Sequence, residues 1–108
     1  MAEQRELKTE FFCDLAAMNA EQRARYRHVT QQMRAATPVI EELADGYALR
    51  FGMDSSLCLI VAEFMTLERL CCPFLDLTLE LVREGGPMQL KLIGREGVKP
   101  FLRAELGL

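Results

Sequence analysis

The chain has 108 residues, 50% hydrophobic and 27% charged, with a formal net charge of −3. This length and composition exclude disordered and fibrous classes and predict one globular domain over residues 1–108, with the polar residues 1–10 as a flexible N-terminal arm. Acids and bases are interspersed without a broad basic patch, which disfavours nucleic-acid binding. No apolar run approaches the ~18 residues of a membrane span, and no signal core follows the charged start. We therefore expect a cytoplasmic protein with no membrane partner.

The N-terminal half is predicted to contain one helix and one strand. Asn19 is followed three residues later by Gln22, a capping-box pattern that marks the start of a helix. This helix runs to about Arg34, with Tyr26 on its apolar face. After an Asp-Gly turn signal, the alternation over residues 47–51 predicts a strand.

The C-terminal half predicts a second helix, a β-hairpin and a last helix. Residues 55–71 contain no glycine or proline, and Pro73 ends the helix. Alternating leucines over 75–82, a Gly-Gly-Pro turn and a second alternation over 88–93 predict an antiparallel hairpin within about 75–93. A short helix follows. The element order is α-β-α-β-β-α, which indicates an α+β fold with a small three-stranded sheet and the helices on one face.

The predicted second helix places a carboxylate in the middle of its apolar face. Glu68 shares this face with Val61 and Phe64, and Cys71 and Cys72 follow at i+3 and i+4. A carboxylate on a core face must be paired, hydrogen-bonded or protonated. We therefore predict that Glu68 is buried with a specific partner, for which the best candidates are an arginine of the first helix or a group near Arg69. Two interpretations stay open, a structural pair or a site shared with the thiols.

The adjacent cysteines Cys71 and Cys72 are candidate ligands for a soft metal ion. Thiolates suit soft metals, and Glu68 is a candidate third ligand or base. The dipole at the helix C-terminus disfavours thiolates, so Arg69 or a metal has to compensate for it. A disulfide between neighbours is disfavoured, because their Cα atoms are about 3.8 Å apart and disulfides span about 4.4–6.8 Å. We expect reduced thiols.

Of the other cysteines, only Cys13 is able to join this pair. Cys58 lies about 20 Å from Cys71 on a continuous helix that rises about 1.5 Å per residue. Cys13 belongs to a short apolar segment before the first helix, and it either folds over the pair or packs with the neighbouring phenylalanines. The single histidine, His28, lies away from the apolar face, so nothing indicates catalysis by a Cys-His or Ser-His-Asp arrangement.

Three segments resemble a group of small uncharacterised bacterial proteins with an ERxCCPF motif. They are FCDLAAM at 12–18, LERLCCPF at 67–74 and GREGVKPFL at 94–102, with an arginine in the last where many members have proline. The resemblance implies no established activity. Some members are encoded near heavy-metal resistance genes. This gene neighbourhood favours a role in the handling of metal or metalloid ions. The resemblance carries over candidate functional positions without assigning their roles: Cys13, Glu68, Arg69, Cys71 and Cys72.

These observations favour a non-catalytic or weakly catalytic thiol protein. It is predicted to bind a soft metal or metalloid ion through Cys71 and Cys72, with Cys13 and Glu68 assisting. The alternative is a non-catalytic adaptor or oligomerisation domain in which the cysteine cluster is only core packing. A thiol redox enzyme is a third hypothesis, disfavoured because the two cysteines are adjacent and lie at the wrong end of the helix.

The outer side of the second helix also predicts an assembly. Leu59 and Leu70 fall on the side opposite the face that packs on the sheet. A helix that is apolar on both sides is usually buried on both sides. Cover within the chain would have to come from the first helix or from the Phe11-Phe12 segment. Where these do not cover the whole side, a two-fold partner is the alternative, and symmetric dimers are the commonest assembly. We therefore predict a homodimer with these leucines at or near its interface.

Overall fold

The computed structural model describes residues 11–108, which form three α-helices and a four-stranded antiparallel sheet. The helices are α1 (Ala20–Ala35), α2 (Ser55–Cys71) and α3 (Val98–Leu106), and a short 3-10 helix, Leu15–Ala17, precedes them. The strands are β1 (Val39–Leu43), β2 (Gly46–Phe51), β3 (Asp76–Leu81) and β4 (Met88–Ile93). The predicted flexible arm, residues 1–10, lies outside the described residues.

Polar caps begin the first two helices where the sequence predicts them. Asn19 Oδ1 accepts from the Gln22 N–H at 2.8 Å, and Gln22 Oε1 accepts from the Asn19 N–H at 2.9 Å, which completes the capping box. Asp54 caps α2 by accepting from the Leu57 N–H at 2.9 Å. α2 ends at Cys71 with Cys72 as its C-cap, which agrees with the proline that follows. Both predicted helices are confirmed.

The strands lie in the order β1-β2-β4-β3. β3 and β4 pair as an antiparallel hairpin with Leu79 opposite Leu90, which confirms the hairpin prediction. β2 pairs with the other side of β4, where Leu49 is opposite Leu90. The α+β class is confirmed, but the predicted three-stranded sheet is wrong. The sheet has four strands, and the element order is α-β-β-α-β-β-α.

The strand that sequence analysis misses is β1, which pairs with β2 at the edge of the sheet. Val39, Glu41 and Glu42 are exposed, and only Ile40 and Leu43 are half-buried. Two consecutive glutamates interrupt the alternation that marks a half-buried strand. An edge strand is ordered by hydrogen bonds to its neighbour, so its own side chains need not show a strong pattern.

One face of the sheet carries the core. Met88, Leu90 and Leu92 on β4 are at most 2% exposed, whereas the residues between them are half-buried. They pack in one hydrophobic cluster with side chains from α1, α2 and α3, including Val29 and Leu102. None of the helices in this part of the chain combines the length and the apolar character needed to cross a bilayer.

Leu90→Ala is expected to lower the free energy of unfolding by about 2–5 kcal/mol, because this fully buried side chain leaves a cavity when it is truncated. Leu81 is the matched control, a strand leucine that is 52% exposed, and Leu81→Ala should cost less than about 1 kcal/mol. Urea denaturation of the two variants measures the difference. Equal losses would contradict the assignment of the buried face.

Candidate metal centre

Three cysteines from distant parts of the chain come together in the structure. The Sγ atoms of Cys13, Cys71 and Cys72 all lie within 4.8 Å of one another, and we call this group the thiol cluster. The Cys71 and Cys72 sulfurs are 3.8 Å apart. Cys71 and Cys72 are fully buried, and Cys13 is half-buried. The structure therefore places Cys13 at the pair and leaves Cys58 outside the cluster.

The end of α2 explains how adjacent cysteines share one site. On a continuing helix, neighbouring side chains diverge by about 100°. Cys72 leaves helical geometry, with φ −132° and ψ 66°, because Pro73 follows it. Its N–H still donates to the carbonyl of Glu68 at 2.7 Å, which keeps the turned residue against the helix. This local change brings the Cys72 sulfur beside that of Cys71.

The segment that carries Cys13 is held on both sides. The N–H of Asp14 donates to the carbonyl of Cys71 at 2.9 Å. Before Cys13, the Phe11 ring packs edge-on against Phe74, with ring centroids 5.2 Å apart. One backbone hydrogen bond and one aromatic contact therefore position the third sulfur.

Glu68 is buried beside the thiol cluster, with 2% of its surface exposed, as predicted. Its partner is Tyr26 of α1, whose hydroxyl donates to Glu68 Oε1 at 2.7 Å. The Cys71 sulfur lies 3.7 Å from the same oxygen. The expectation of an arginine partner is wrong, since within residues 11–108 Arg25 of α1 pairs instead with Glu63 at 2.6 Å. The Tyr26 hydroxyl gives the Glu68 carboxyl a hydrogen-bond donor, and it does so without the burial of a second charge.

Sequence analysis assigns Tyr26 only to a core face and misses its contact with Glu68. A tyrosine on a core face needs a partner for its hydroxyl, and a buried carboxyl needs a donor. The need of the Tyr26 hydroxyl for a partner and the need of the Glu68 carboxyl for a donor are together the signal in the sequence that pairs the two residues. Arg69, in contrast, is exposed, and within the described part of the chain it makes no hydrogen bond or ion pair with the thiol cluster.

Hydrogen bonds among the thiols decide which sulfur ionises first. The bond from Cys72 lowers the pKa of Cys71, against the effect of burial, and a bond from Cys13 lowers it further. The same bond to Cys71, together with burial, raises the pKa of Cys72. Burial raises the pKa of Cys13 to about 12. Cys71 is therefore the first thiol of the cluster to ionise as pH rises. The S–H groups of Cys72 and Cys13 stabilise its thiolate, a role that the sequence analysis gives to Arg69 or a metal.

Glu68 and Tyr26 also line a cavity of about 280 Å³. Most of its other walls are apolar side chains from the helices and the sheet, among them Phe64, Leu90 and Leu102, and Arg34 and Glu105 add charge. The four cysteines do not line this cavity. Glu68 thus lies between the cavity, which is large enough for a small molecule, and the thiol of Cys71.

The stability of the protein is expected to fall as pH rises through the titration of Glu68. Burial raises the pKa of Glu68 above its ordinary value of 4.5, so the folded state holds this proton more tightly than the unfolded state. Between pH 4.5 and the folded-state pKa, the folded protein binds more protons, and its free energy of unfolding decreases with pH.

Glu68→Gln removes this titration, so its stability should change less over the same window. Urea denaturation midpoints from about pH 4 to about pH 8 measure the two slopes. Glu63→Gln, a change of an incompletely buried carboxylate on the same helix, is the control and should keep the decrease. Identical slopes for the wild type and Glu68→Gln would contradict the assignment to Glu68.

The distances, the burial and the hydrogen bonds of the thiol cluster are the basis for inferring its function. Three thiols in contact, one of which ionises ahead of the others, form a ligand set suited to a soft ion. Comparison of the chain with protein-family models, with curated proteins and with solved structures found no match.

Proposed function

We propose that the protein binds one soft metal or metalloid ion through the thiolates of Cys13, Cys71 and Cys72. The observation that supports this most directly is the mutual separation of the three sulfurs, at most 4.8 Å. With metal–sulfur bonds of about 2.3 Å and bond angles of about 100–120°, bound sulfurs lie about 3.5–4.0 Å apart. The 3.8 Å between Cys71 and Cys72 fits this range, and Cys13 needs to move by only about 1 Å.

Glu68 assists from outside the ligand set. Its Oε1 is 3.7 Å from the Cys71 sulfur, near enough to receive the thiol proton. Thiols bind metals as thiolates, so each ligand has to release a proton when the ion arrives. Burial raises the pKa of Glu68, which makes this carboxylate a better proton acceptor than an exposed glutamate.

The ion enters beside Cys13. Cys71 and Cys72 are 0% exposed, whereas Cys13 is half-buried on the segment before α1. An incoming ion therefore meets Cys13 first and passes to the buried pair when this segment moves. A reducing compartment such as the bacterial cytosol keeps the thiols available, so we place the protein there. The ERxCCPF resemblance supports the same proposal.

A second candidate function rests on a different observation. Leu59 is 74% exposed and Leu70 is 40% exposed on α2, while Cys71 and Cys72 are sealed as ordinary core cysteines are. In this alternative, the thiol cluster is only packing, and the chain is a homodimeric adaptor that assembles through α2.

Native mass spectrometry of the reduced protein with zinc(II), copper(I) or mercury(II) tests ion binding. We expect one ion per chain. Cys13→Ser should reduce the affinity by more than about 100-fold, since loss of a partner outside the ligand set already costs about 10–100-fold. Cys58→Ser is the matched control, because Cys58 is a half-buried cysteine outside the cluster. Retention of no ion, or equal affinities in both variants, would leave the adaptor alternative.

Sedimentation equilibrium at micromolar concentration tests assembly. The homodimer proposal predicts twice the chain mass of 12.3 kDa, and Leu70→Glu should shift the mass to that of the monomer by burying a charge at the interface. Leu81→Glu, at an exposed strand leucine away from α2, is the control. A monomer mass for the wild type would eliminate the dimer.

A further inference from the structure

The charges around the thiol cluster limit the kind of ion that it holds. The charged group in contact with the thiol cluster is an acid, since Glu68 Oε1 lies 3.7 Å from the Cys71 sulfur. The ion pairs within residues 11–108 that hold arginine or lysine involve other carboxylates, those of Glu41, Glu42 and Glu63. Within residues 11–108, no ion pair or hydrogen bond brings an arginine or lysine side chain to these sulfurs, and Arg34 and Arg95 act instead on Glu105 and on the Phe11 ring.

The charge of the complex then depends on the valence of the ion. Three thiolates carry three negative charges, so a divalent ion leaves one negative charge in the buried site, and a trivalent ion leaves none. Burial of an uncompensated charge is strongly unfavourable, and the Glu68 carboxylate beside Cys71 makes a residual negative charge worse. Zinc usually takes a fourth ligand, and Glu68, the nearest carboxylate, adds another negative charge.

We propose that the thiol cluster selects a trivalent metalloid, such as arsenic(III), held in a neutral three-sulfur complex by Cys13, Cys71 and Cys72. This inference rests on the proposed function and narrows its ligand class. Arsenous acid, As(OH)₃, reacts with three thiols. Three As–O bonds break and three As–S bonds form, while the thiol protons leave with the hydroxyl groups as three waters. Arsenic stays in the trivalent state, and neither reactant nor product carries a net charge.

The separations of the sulfurs agree with a complex in which one ion contacts all three of them. The buried pair is already separated by 3.8 Å, within the range of about 3.5–4.0 Å that three-coordinate and four-coordinate ions share. A linear two-coordinate ion, with bonds of about 2.3 Å, would need these sulfurs about 4.6 Å apart. Cys13 supplies the third sulfur from a separate segment, which is able to move toward the pair.

Competition between sodium arsenite and zinc(II) for the full reduced chain tests the proposal. Mass spectrometry should show one arsenic atom per chain with the loss of three protons, and arsenite should displace bound zinc at equal concentration. Cys13→Ser should weaken arsenite binding by more than about 100-fold and leave an adduct that has lost two thiol protons. Cys13 is half-buried, so this variant keeps the core intact, and Cys58→Ser should match the wild type.

The outcomes separate the two proposals. If zinc binds through the thiol cluster as tightly as arsenite or more tightly, the proposed selection of a trivalent ion is wrong. The proposed function, binding of a soft ion, then stands. If Cys13→Ser binds arsenite as the wild type does, the three-sulfur complex is wrong. If the chain binds neither arsenite nor any of zinc(II), copper(I) and mercury(II), both proposals fail.

Discussion

Pro73 is the constraint on which the arrangement of the thiol cluster depends. A proline cannot continue α2, and it moves the preceding residue, Cys72, out of helical geometry. Without this change, the two neighbouring sulfurs would diverge around the helix axis. With it, they lie 3.8 Å apart and share one environment with Glu68. The Leu75 N–H then donates to the Cys72 carbonyl as the chain turns toward β3.

Polar groups gather at this end of α2, in a core that is otherwise apolar. Glu68 is the one buried charged or polar side chain among residues 11–108, and the Tyr26 hydroxyl and the thiols are its hydrogen-bonding neighbours in that part of the chain. Replacement of such a group by an apolar side chain of similar shape is often neutral or stabilising. The position of this carboxyl beside three thiols therefore suits proton transfer during ligand binding better than core packing.

The sequence predicts the local elements well because local rules determine them. The capping box at Asn19 and the two alternating runs of the hairpin are patterns over a few residues, and each appears in the structure as expected. The burial of Glu68 also follows from its place on a helical wheel. These features need only periodicity and cap chemistry, both of which are readable in one sequence.

Long-range contacts are where the sequence is insufficient. The edge strand β1 depends on its hydrogen bonds to β2 more than on its own pattern, so two glutamates conceal it. Cys13 reaches Cys71 from 58 positions earlier, and no local spacing distinguishes this contact from packing against phenylalanines. Tyr26 lies on a different helix from Glu68, and only the packing of α1 on α2 pairs them.

The hydrogen bond from the Asp14 N–H to the Cys71 carbonyl has a consequence for motion. The last carbonyls of a helix lack donors within the helix, and here the segment before α1 supplies the donor that a further turn of α2 would have supplied. Opening of this segment breaks this hydrogen bond, at a net cost of about 0.5–1.5 kcal/mol. The segment therefore opens less often than its exposed side chains alone suggest. Because the same opening uncovers the sulfurs, it limits the rates at which any ligand enters and leaves.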